Sequence, residues 1–190
     1  MRVDAGFVEL TTHRLLLRRS RPEDAEAISD YRSDPDVHRT QGWSRTDRAW
    51  VRAEIEEMSR RAPGEPGWVQ FSVLERESGR LVGDVGLSPA EGEPGVVKVG
   101  YTVAPAYQGR GYATEAVSAL VGYAVATLDA DVMRAYADAG NVASIRIAEK
   151  VGMRLVERIE HREGSETWVG VRYELRREDR RRSEGRPEKE

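Results

Sequence analysis

A short segment with two glycines carries the clearest chemical signal in the sequence. Gln108, Gly109, Arg110 and Gly111 follow Pro105 and lead into a run with helical spacing. The first backbone N–H groups of a helix have no partner within it and lie at the positive end of its dipole, so they bind anions. Glycines let the backbone approach a phosphate closely, and Arg110 and Gln108 add charge and hydrogen bonds at the rim. The residues alone therefore indicate either a phosphate-binding loop or a purely structural turn.

Spacing excludes two other kinds of phosphate loop. A Walker loop needs Gly-Lys-Ser/Thr after four spacer residues, and the sequence contains no such tripeptide. A dinucleotide-binding fingerprint needs a third glycine or alanine three residues after Gly111, where Thr114 stands. It also needs repeated parallel strand–helix units, whereas the pattern before the loop indicates an antiparallel meander.

The elements that would position this loop follow from hydrophobic patterning. Strand-like runs separated by turn residues indicate an antiparallel meander before the loop, and apolar residues three and four apart predict a helix after it. The predicted strands are Arg14–Arg19, Trp68–Arg76, Arg80–Ser88, Val96–Val103 and Val132–Ala137, with two closing strands that end in Trp168–Arg176. The predicted helices are Ser20–Arg32, Thr46–Arg61, Ala113–Leu128 and Asn141–Gly152.

Composition restricts the class of protein. The chain has 190 residues, of which 39% are hydrophobic, and this fits one compact domain with one active site. The net charge of -3 gives no reason to expect a nucleic-acid partner, and no run approaches the ~20 apolar residues of a membrane span. We therefore expect a cytoplasmic protein that binds neither nucleic acid nor membrane.

The absence of cysteine excludes several kinds of site. Disulfides, thiolate metal sites and a covalent thioester on the protein all need that residue. His13, His38 and His161 are scattered without the spacing of metal ligands, so no metal is expected. Any group transfer must therefore use other residues.

The segment VGYTVAPAYQGRGYATEA, from Val99 to Ala116, resembles motif A of the GNAT family of N-acetyltransferases. The signature of that family is Gln or Arg, two residues, Gly, one residue, and Gly or Ala, and Gln108, Gly111 and Ala113 occupy those places. The resemblance extends over roughly Thr12 to Leu175 and is closest to the ribosomal-protein N-terminal acetyltransferases (RimJ/RimL-like). The local phrases that support this branch are Thr12–Arg18, Arg21–Ala25, Ser33–Val37, Leu81–Gly83, Asn141–Arg146 and Glu149–Met153.

The resemblance implies a mixed α/β (α+β) fold, in which about four helices flank a central, splayed, mostly antiparallel sheet of six to seven strands. One acetyltransferase domain would occupy residues 1–176, and the mixed-charge residues 177–190 are expected to form a disordered tail. Acetyl-CoA would lie as the acetyl donor in the splay between two central strands, without a metal. The implied coenzyme-binding residues are Tyr101, Thr102, Val103, Gln108, Gly109, Arg110, Gly111, Tyr112, Ala113, Thr114, Asn141 and Ser144.

The resemblance also implies two catalytic roles. The amide of Val103 would polarise the thioester carbonyl as an oxyanion donor, although an ordinary strand residue is the alternative. Many relatives use a tyrosine seven positions after the asparagine as the proton donor, but here Ala148 stands there. Ser144, three positions after Asn141 as in the N-terminal acetyltransferase branch, would take that role. By propensity alone, Asn141 is an N-cap and Ser144 a first-turn residue.

The general base is left open. Relatives often carry Glu on the strand before motif A, where Lys98 stands in this chain. Asp84, Asp138 and Glu157 are the alternatives, as is a water chain with no single base.

The acceptor pocket is assigned to three residues, His38, Trp43 and Asp84, with packing as the alternative role for the aromatic side chain. His38 and Trp43 lie in the segment that covers this pocket in relatives. A loop-built pocket of this kind does not reveal its acceptor, because loops carry specificity that resemblance at the level of the fold does not transmit.

The function that the resemblance implies is transfer of the acetyl group of acetyl-CoA to a primary amine by direct attack in a ternary complex. The acceptor would be a protein N-terminal α-amine or a small-molecule amine, and the enzyme a monomer or homodimer. An α-amine has a pKa of ~7.7 to 8.0 and a lysine one of ~10.4, so a larger fraction of the α-amine is already neutral near pH 7. This favours a weakly basic acceptor. The alternatives are an acetyl-CoA-binding module with little catalytic activity, consistent with Lys98 and Ala148, and an unrelated anion-binding domain.

Overall fold

The computed structural model describes residues 1–39, 41, 43–163 and 166–184. Within these ranges eight strands form one sheet, six α-helices flank it, and no helix is long and apolar enough to span a membrane. The strands are β1 (Glu9–Thr11), β2 (Leu15–Arg19), β3 (Val69–Glu75), β4 (Leu81–Pro89), β5 (Val96–Val103), β6 (Val132–Asp138), β7 (Arg154–Glu163) and β8 (Glu166–Arg176). The helices are α1 (Ala25–Arg32), α2 (Pro35–Arg39), α3 (Arg48–Ser59), α4 (Tyr112–Ala126), α5 (Val142–Lys150) and α6 (Arg177–Glu184), and short 3₁₀ turns cover Pro22–Asp24 and Pro105–Tyr107.

The sheet has the strand order β1-β2-β3-β4-β5-β6-β8-β7, and its neighbours are antiparallel except for β5 and β6. This parallel pair joins only Val96–Lys98 to Val132–Arg134. Strand β5 nevertheless continues to Val103, and β6 continues to Asp138. The two strands therefore separate beyond Lys98, and a gap opens in the middle of the sheet.

Helices cover the two faces of the sheet with two separate apolar cores. On one face, α4 and α5 pack against fully buried strand residues such as Leu17, Phe71 and Leu87. On the other face, α1 and α3 enclose a smaller cluster that contains Ile28 and Ile55. Each large apolar side chain removed from water contributes about 1.5–3 kcal/mol, so both layers hold the sheet in place.

The mixed α/β fold with a splayed, mostly antiparallel sheet is confirmed, but the described residues contain eight strands where six to seven were predicted. Strand β1 is the element without a sequence signal, because its three residues are too few for apolar and polar positions to alternate. Six helices replace the predicted four, since α2 occupies five residues of a segment read as a connection and α6 follows the last strand. The first predicted helix begins later, because Ser20 contacts Ser72 while the backbone N–H of Arg21 donates to Asp24 at 2.9 Å.

The C-terminal segment corrects another prediction. The sequence predicts disorder over 177–190, whereas α6 covers Arg177–Glu184, and residues 185–190 lie outside the described residues. Arg177 fixes the start of this helix, because its backbone N–H donates to the Asp131 carbonyl and its Nε donates to the Ala130 carbonyl, both at 2.9 Å. Its guanidinium also lies 2.7 Å from the Asp129 carboxylate. These partners lie in the connection between α4 and β6, more than 40 residues before the tail. The composition of the tail therefore does not indicate them.

Candidate active site

The two-glycine loop and the start of α4 form one wall of a cavity. Gly109 and Gly111 have φ angles of 75° and 80°, in the left-handed region that favours glycine. Gly111 is the N-cap residue of α4 and has no side chain with which to cap the helix. The amides of the first turn are therefore available to an anion at the positive end of the helix dipole.

The cavity has a volume of about 530 Å³ and is bounded by four parts of the chain. These are the end of β5, the loop with the start of α4, one side of α5, and the segment around α2. The lining residues are Tyr101, Thr102, Val103, Pro105, Tyr107, Gln108, Gly109, Gly111, Tyr112, Ala113, Thr114, Asn141, Ala143, Ser144, Arg146, Ile147, Lys150, Asp34, Asp36, Val37 and Gln41. Of the residues predicted to bind the coenzyme, only Arg110 is not in this described lining, and its guanidinium lies 5.3 Å from the Tyr107 ring centroid.

The end of β5 directs backbone groups toward the gap. Ala104, the next residue, donates its N–H to a β4 carbonyl at 2.9 Å. Because successive residues of an antiparallel pair direct their backbone groups to alternate edges, Val103 directs its N–H and C=O the other way. Gln108 Nε2 donates to that Val103 carbonyl at 3.0 Å. Gly83 permits the close approach of β4 here, since a Cβ on it would lie 2.2 Å from the Thr102 carbonyl oxygen.

Two hydroxyl groups meet where β5 faces α5. Asn141 caps α5 by accepting the Ser144 N–H at 3.0 Å, which fixes the first turn of the helix. The Ser144 Oγ lies 2.9 Å from the Tyr101 hydroxyl, which also donates to the Ser144 carbonyl at 2.9 Å. Burial raises the pKa of Tyr101 by more than its hydrogen bond to Ser144 lowers it, so the phenol stays protonated. The sequence places Tyr101 only among the coenzyme-binding residues, because nothing local indicates a contact with Ser144.

The charged residues of the lining have opposite signs on two parts of the chain. Arg146 and Lys150 lie four residues apart on α5, and both line the cavity. Asp34 and Asp36 line the end near α2. The Asp34 carboxylate also caps this short helix, accepting the Asp36 N–H at 2.9 Å. The lining therefore carries positive charge on α5 and at the start of α4, and negative charge on the segment around α2.

The residues assigned to the acceptor pocket do not line this cavity in the described part of the chain. Asp84 is buried, accepts a hydrogen bond from the Tyr31 hydroxyl and lies 3.6 Å from the Arg32 guanidinium. The same guanidinium lies 4.4 Å from the ring centroid of Trp43. Asp84 and Trp43 thus meet around Arg32 on the face covered by α1, whereas His38 lies on α2 beside the lining.

The other acidic groups considered as a general base also have partners. Asp138 accepts the backbone N–H two residues further on at 2.6 Å, and Glu157 lies 3.1 Å from the Arg172 guanidinium. Lys98 pairs with β4 and β6 at the point where the gap begins, and its Nζ lies 6.0 Å from the Trp68 ring centroid. Among the described residues, no three His, Asp or Glu side chains come together in a way that could hold a metal ion.

Similarity to known proteins agrees with this architecture. Residues 14–154 match the model of the acetyltransferase (GNAT) domain. The chain is 29% identical over 146 residues to the uncharacterized N-acetyltransferase p20 of Bacillus licheniformis, and the match covers 76% of this chain and 82% of p20. A GNAT-family acetyltransferase from Bacillus anthracis has a TM-score of 0.79 and 26% identity, covering 90% of this chain and 99% of that one. RimL, a ribosomal L7/L12 alpha-N-protein acetyltransferase in complex with coenzyme A, shares the fold at a TM-score of 0.76 and 14% identity, with 88% and 97% covered. The chain belongs to the GNAT family of acetyltransferases.

Proposed function

We propose that this acetyltransferase moves the acetyl group of acetyl-CoA to a primary amine, either a protein N-terminal α-amine or the amine of a small molecule. The observation that carries the proposal is that one cavity contains both the uncapped start of α4 and the hydroxyl pair of Tyr101 and Ser144. Acetyl-CoA supplies an activated acyl group and a thiolate that leaves when an amine attacks. The chain must bind the phosphates, stabilise charge on the thioester oxygen and provide a proton for the sulfur.

The donor end of the cavity suits the phosphates of the coenzyme. The N–H groups of Tyr112, Ala113 and Thr114 offer hydrogen bonds, and glycines 109 and 111 leave space for a close approach. Arg146 and Lys150 of α5 add positive charge to the lining. The volume of about 530 Å³ is typical of a site for a ligand of this class.

The end of β5 is the place for the thioester. The Val103 N–H is directed toward the gap, where it can donate to an oxygen that gains negative charge as the amine attacks. A backbone amide held between β4 and α4 needs no rearrangement to do so. Gly83 contributes by letting β4 approach closely enough to hold this part of β5.

The hydroxyl pair is the proposed proton source for the leaving sulfur. Ser144 Oγ donates to the sulfur, while the Tyr101 hydroxyl donates to the Ser144 carbonyl and lies 2.9 Å from Ser144 Oγ, so it keeps this residue in place. A thiol of pKa ~8.5 is a tolerable leaving group, so this modest assistance is sufficient. Ala148, which stands where many relatives have their tyrosine, is 2% exposed and cannot take part.

The acceptor amine would enter from the end of the cavity near α2. Gln41 lies there and donates through Nε2 to the Tyr101 carbonyl at 3.4 Å, so it connects this segment to β5. Direct attack is favoured because the chain contains no cysteine that could carry the acetyl group. Since Asp84, Asp138 and Glu157 all have other partners, a water-mediated proton transfer from an α-amine is the simplest route.

A thiol-release assay tests the proposal. Acetyl-CoA is mixed with a panel of peptides, polyamines and aminoglycosides, and free thiol is followed over time. We expect at least one amine to accelerate the release and to gain one acetyl group by mass spectrometry. Tight binding of acetyl-CoA with no amine-dependent release across the panel would contradict the transferase and favour a binding module.

A further inference from the structure

An acidic residue lies in the first turn of the helix that is proposed to bind phosphate. Glu115 belongs to α4, four residues after Gly111, and its side chain is 18% exposed. The turn between β1 and β2 contacts this carboxylate closely. Thr12 Oγ1 and the Arg14 N–H donate to Oε1 at 2.6 and 2.8 Å, and the Arg14 Nε donates to Oε2 at 2.7 Å.

The Arg14 side chain also contacts the glycine loop itself. Its Nη1 donates to the Arg110 carbonyl at 2.9 Å, and its guanidinium lies 4.7 Å from the Tyr112 ring centroid. A Cβ on Gly111 would lie 3.4 Å from its Nη2. One side chain from the start of the fold therefore touches the loop at successive residues and contacts Glu115 as well.

The charge of Glu115 is a problem for a phosphate-binding helix. A carboxylate in the first turn stabilises a helix because it lies near the positive end of the dipole, but it competes there with any anionic ligand. Burial alone would raise the pKa of Glu115, but the hydrogen bonds from Thr12 and Arg14 outweigh that effect and lower it. The group is therefore ionised at neutral pH, and its charge needs compensation before phosphates bind beside it.

We propose that Arg14 is a positioning residue for the donor substrate. With Thr12 it directs the Glu115 carboxylate toward the β1–β2 turn, compensates its charge, and holds the Arg110 carbonyl so that the amides of the loop stay available to phosphate. This inference rests on the proposed function, because coenzyme A is taken as the anion. Arg14 acts through Glu115 and the loop rather than by contact with the reacting atoms.

A double-mutant cycle measured with coenzyme A by calorimetry tests this role. We expect Arg14→Ala to weaken binding by about tenfold, because an unopposed carboxylate then faces the phosphates and a charge-assisted hydrogen bond to the loop is lost. Adding Glu115→Gln to Arg14→Ala should restore most of the affinity. The rate at saturating acetyl-CoA should stay within about twofold of the original, since the hydroxyl pair is untouched.

Arg76→Ala is the matched control. Arg76 holds the same turn by donating to the Thr12 and His13 carbonyls at 2.9 and 3.1 Å, and its hydrogen bonds do not involve Glu115. We expect this variant to bind coenzyme A as the original protein does. If it weakens binding as much as Arg14→Ala, the turn has only a structural role and the inference is wrong.

The remaining outcomes separate the inference from the function on which it rests. Wild-type protein that fails to bind coenzyme A contradicts the proposed function. Wild-type binding with a double variant no better than Arg14→Ala overturns the positioning role alone. Should the alanine variant not fold, Arg14→Lys replaces it, because lysine keeps the charge but lacks the planar fork. About threefold weaker binding that Glu115→Gln improves would then support the role, and unchanged binding would contradict it.

Discussion

The donor end and the acceptor end of the cavity differ in whether backbone groups or side chains form them. At the donor end the chemistry comes mostly from backbone groups, namely the amides at the start of α4 and the edge of β5, within one continuous segment from 99 to 114. At the acceptor end, the lining comes from side chains of the segment around α2, such as Asp34, Asp36 and Gln41. A site formed by backbone groups specifies one ligand and depends on glycines. In a site formed by side chains, single substitutions can change which ligand binds. Substitutions at the two ends test this difference.

Gly111→Val should have the largest effect, at the donor end. We expect at least an approximately 100-fold loss of coenzyme A affinity, because a β-branched residue is strained at a φ of 80° and its side chain would displace Arg14. Gly79→Val is the matched control, since Gly79 has a φ of 68° in the β3–β4 turn and open space around it. Equal losses of affinity in both variants would mean that backbone strain destabilises the fold generally, rather than the loop.

Ser144→Ala should lower the turnover rate by about 30-fold, with coenzyme A affinity nearly unchanged, because a hydrogen bond to a charged leaving group is lost. Tyr101→Phe should act in the same direction more weakly. Because burial raises the pKa of Tyr101, the turnover rate should show no loss from ionisation of this phenol up to about pH 10. Tyr173→Phe, which removes another tyrosine hydroxyl bonded to Glu149 at 3.2 Å, should leave the rate unchanged. A full rate in the serine variant would rule out its role as donor.

Lys150→Ala should raise the Michaelis constant for acetyl-CoA by about fivefold, and added salt should reduce that difference, because the contact is an exposed charge interaction. Lys98→Ala removes the same charge from the sheet outside the described lining of the cavity. We expect it to leave the Michaelis constant for acetyl-CoA unchanged. The comparison between these lysines places the phosphates on the α5 side, and identical effects would count against that placement.

Asp84→Asn should have the smallest effect on catalysis, less than about twofold in the turnover rate, because Tyr31 and Arg32 already occupy this carboxylate. It should instead lower the free energy of unfolding by about 1–3 kcal/mol, measured by urea denaturation, since Arg32 loses a buried partner. A large loss of rate with unchanged stability would identify Asp84 as the general base.

The sequence predicts the donor end well because its determinants are local. The positions of Gln108, Gly111 and Ala113 can be read from spacing, and each depends on the helix start only a few residues away. The cap formed by Asn141 is also local, since its acceptor oxygen reaches the backbone three residues on. The central strands β3, β4 and β5 follow from alternation between turns, and their predicted bounds agree with the structure within one residue at each end.

What the sequence does not predict depends on contacts between distant residues. Tyr101 and Ser144 are 43 positions apart, and Arg14 and Glu115 are 101 apart, so no period or motif joins them. Asp84, which the sequence assigns to the acceptor pocket, is placed away from the cavity by its register on β4 and is bound by residues of α1. Asp34 and Gln41 reach the cavity through the fold of a connection without periodic pattern, so their role was not foreseen.

The most direct test is a crystal structure of the protein with coenzyme A bound. The account predicts that the pyrophosphate accepts hydrogen bonds from the amides at the start of α4, and that the sulfur lies within hydrogen-bonding distance of Ser144 Oγ, between the separated ends of β5 and β6. A coenzyme bound elsewhere, or a sulfur remote from both Ser144 and Tyr101, would contradict the claim that this single cavity binds the donor and delivers its acetyl group.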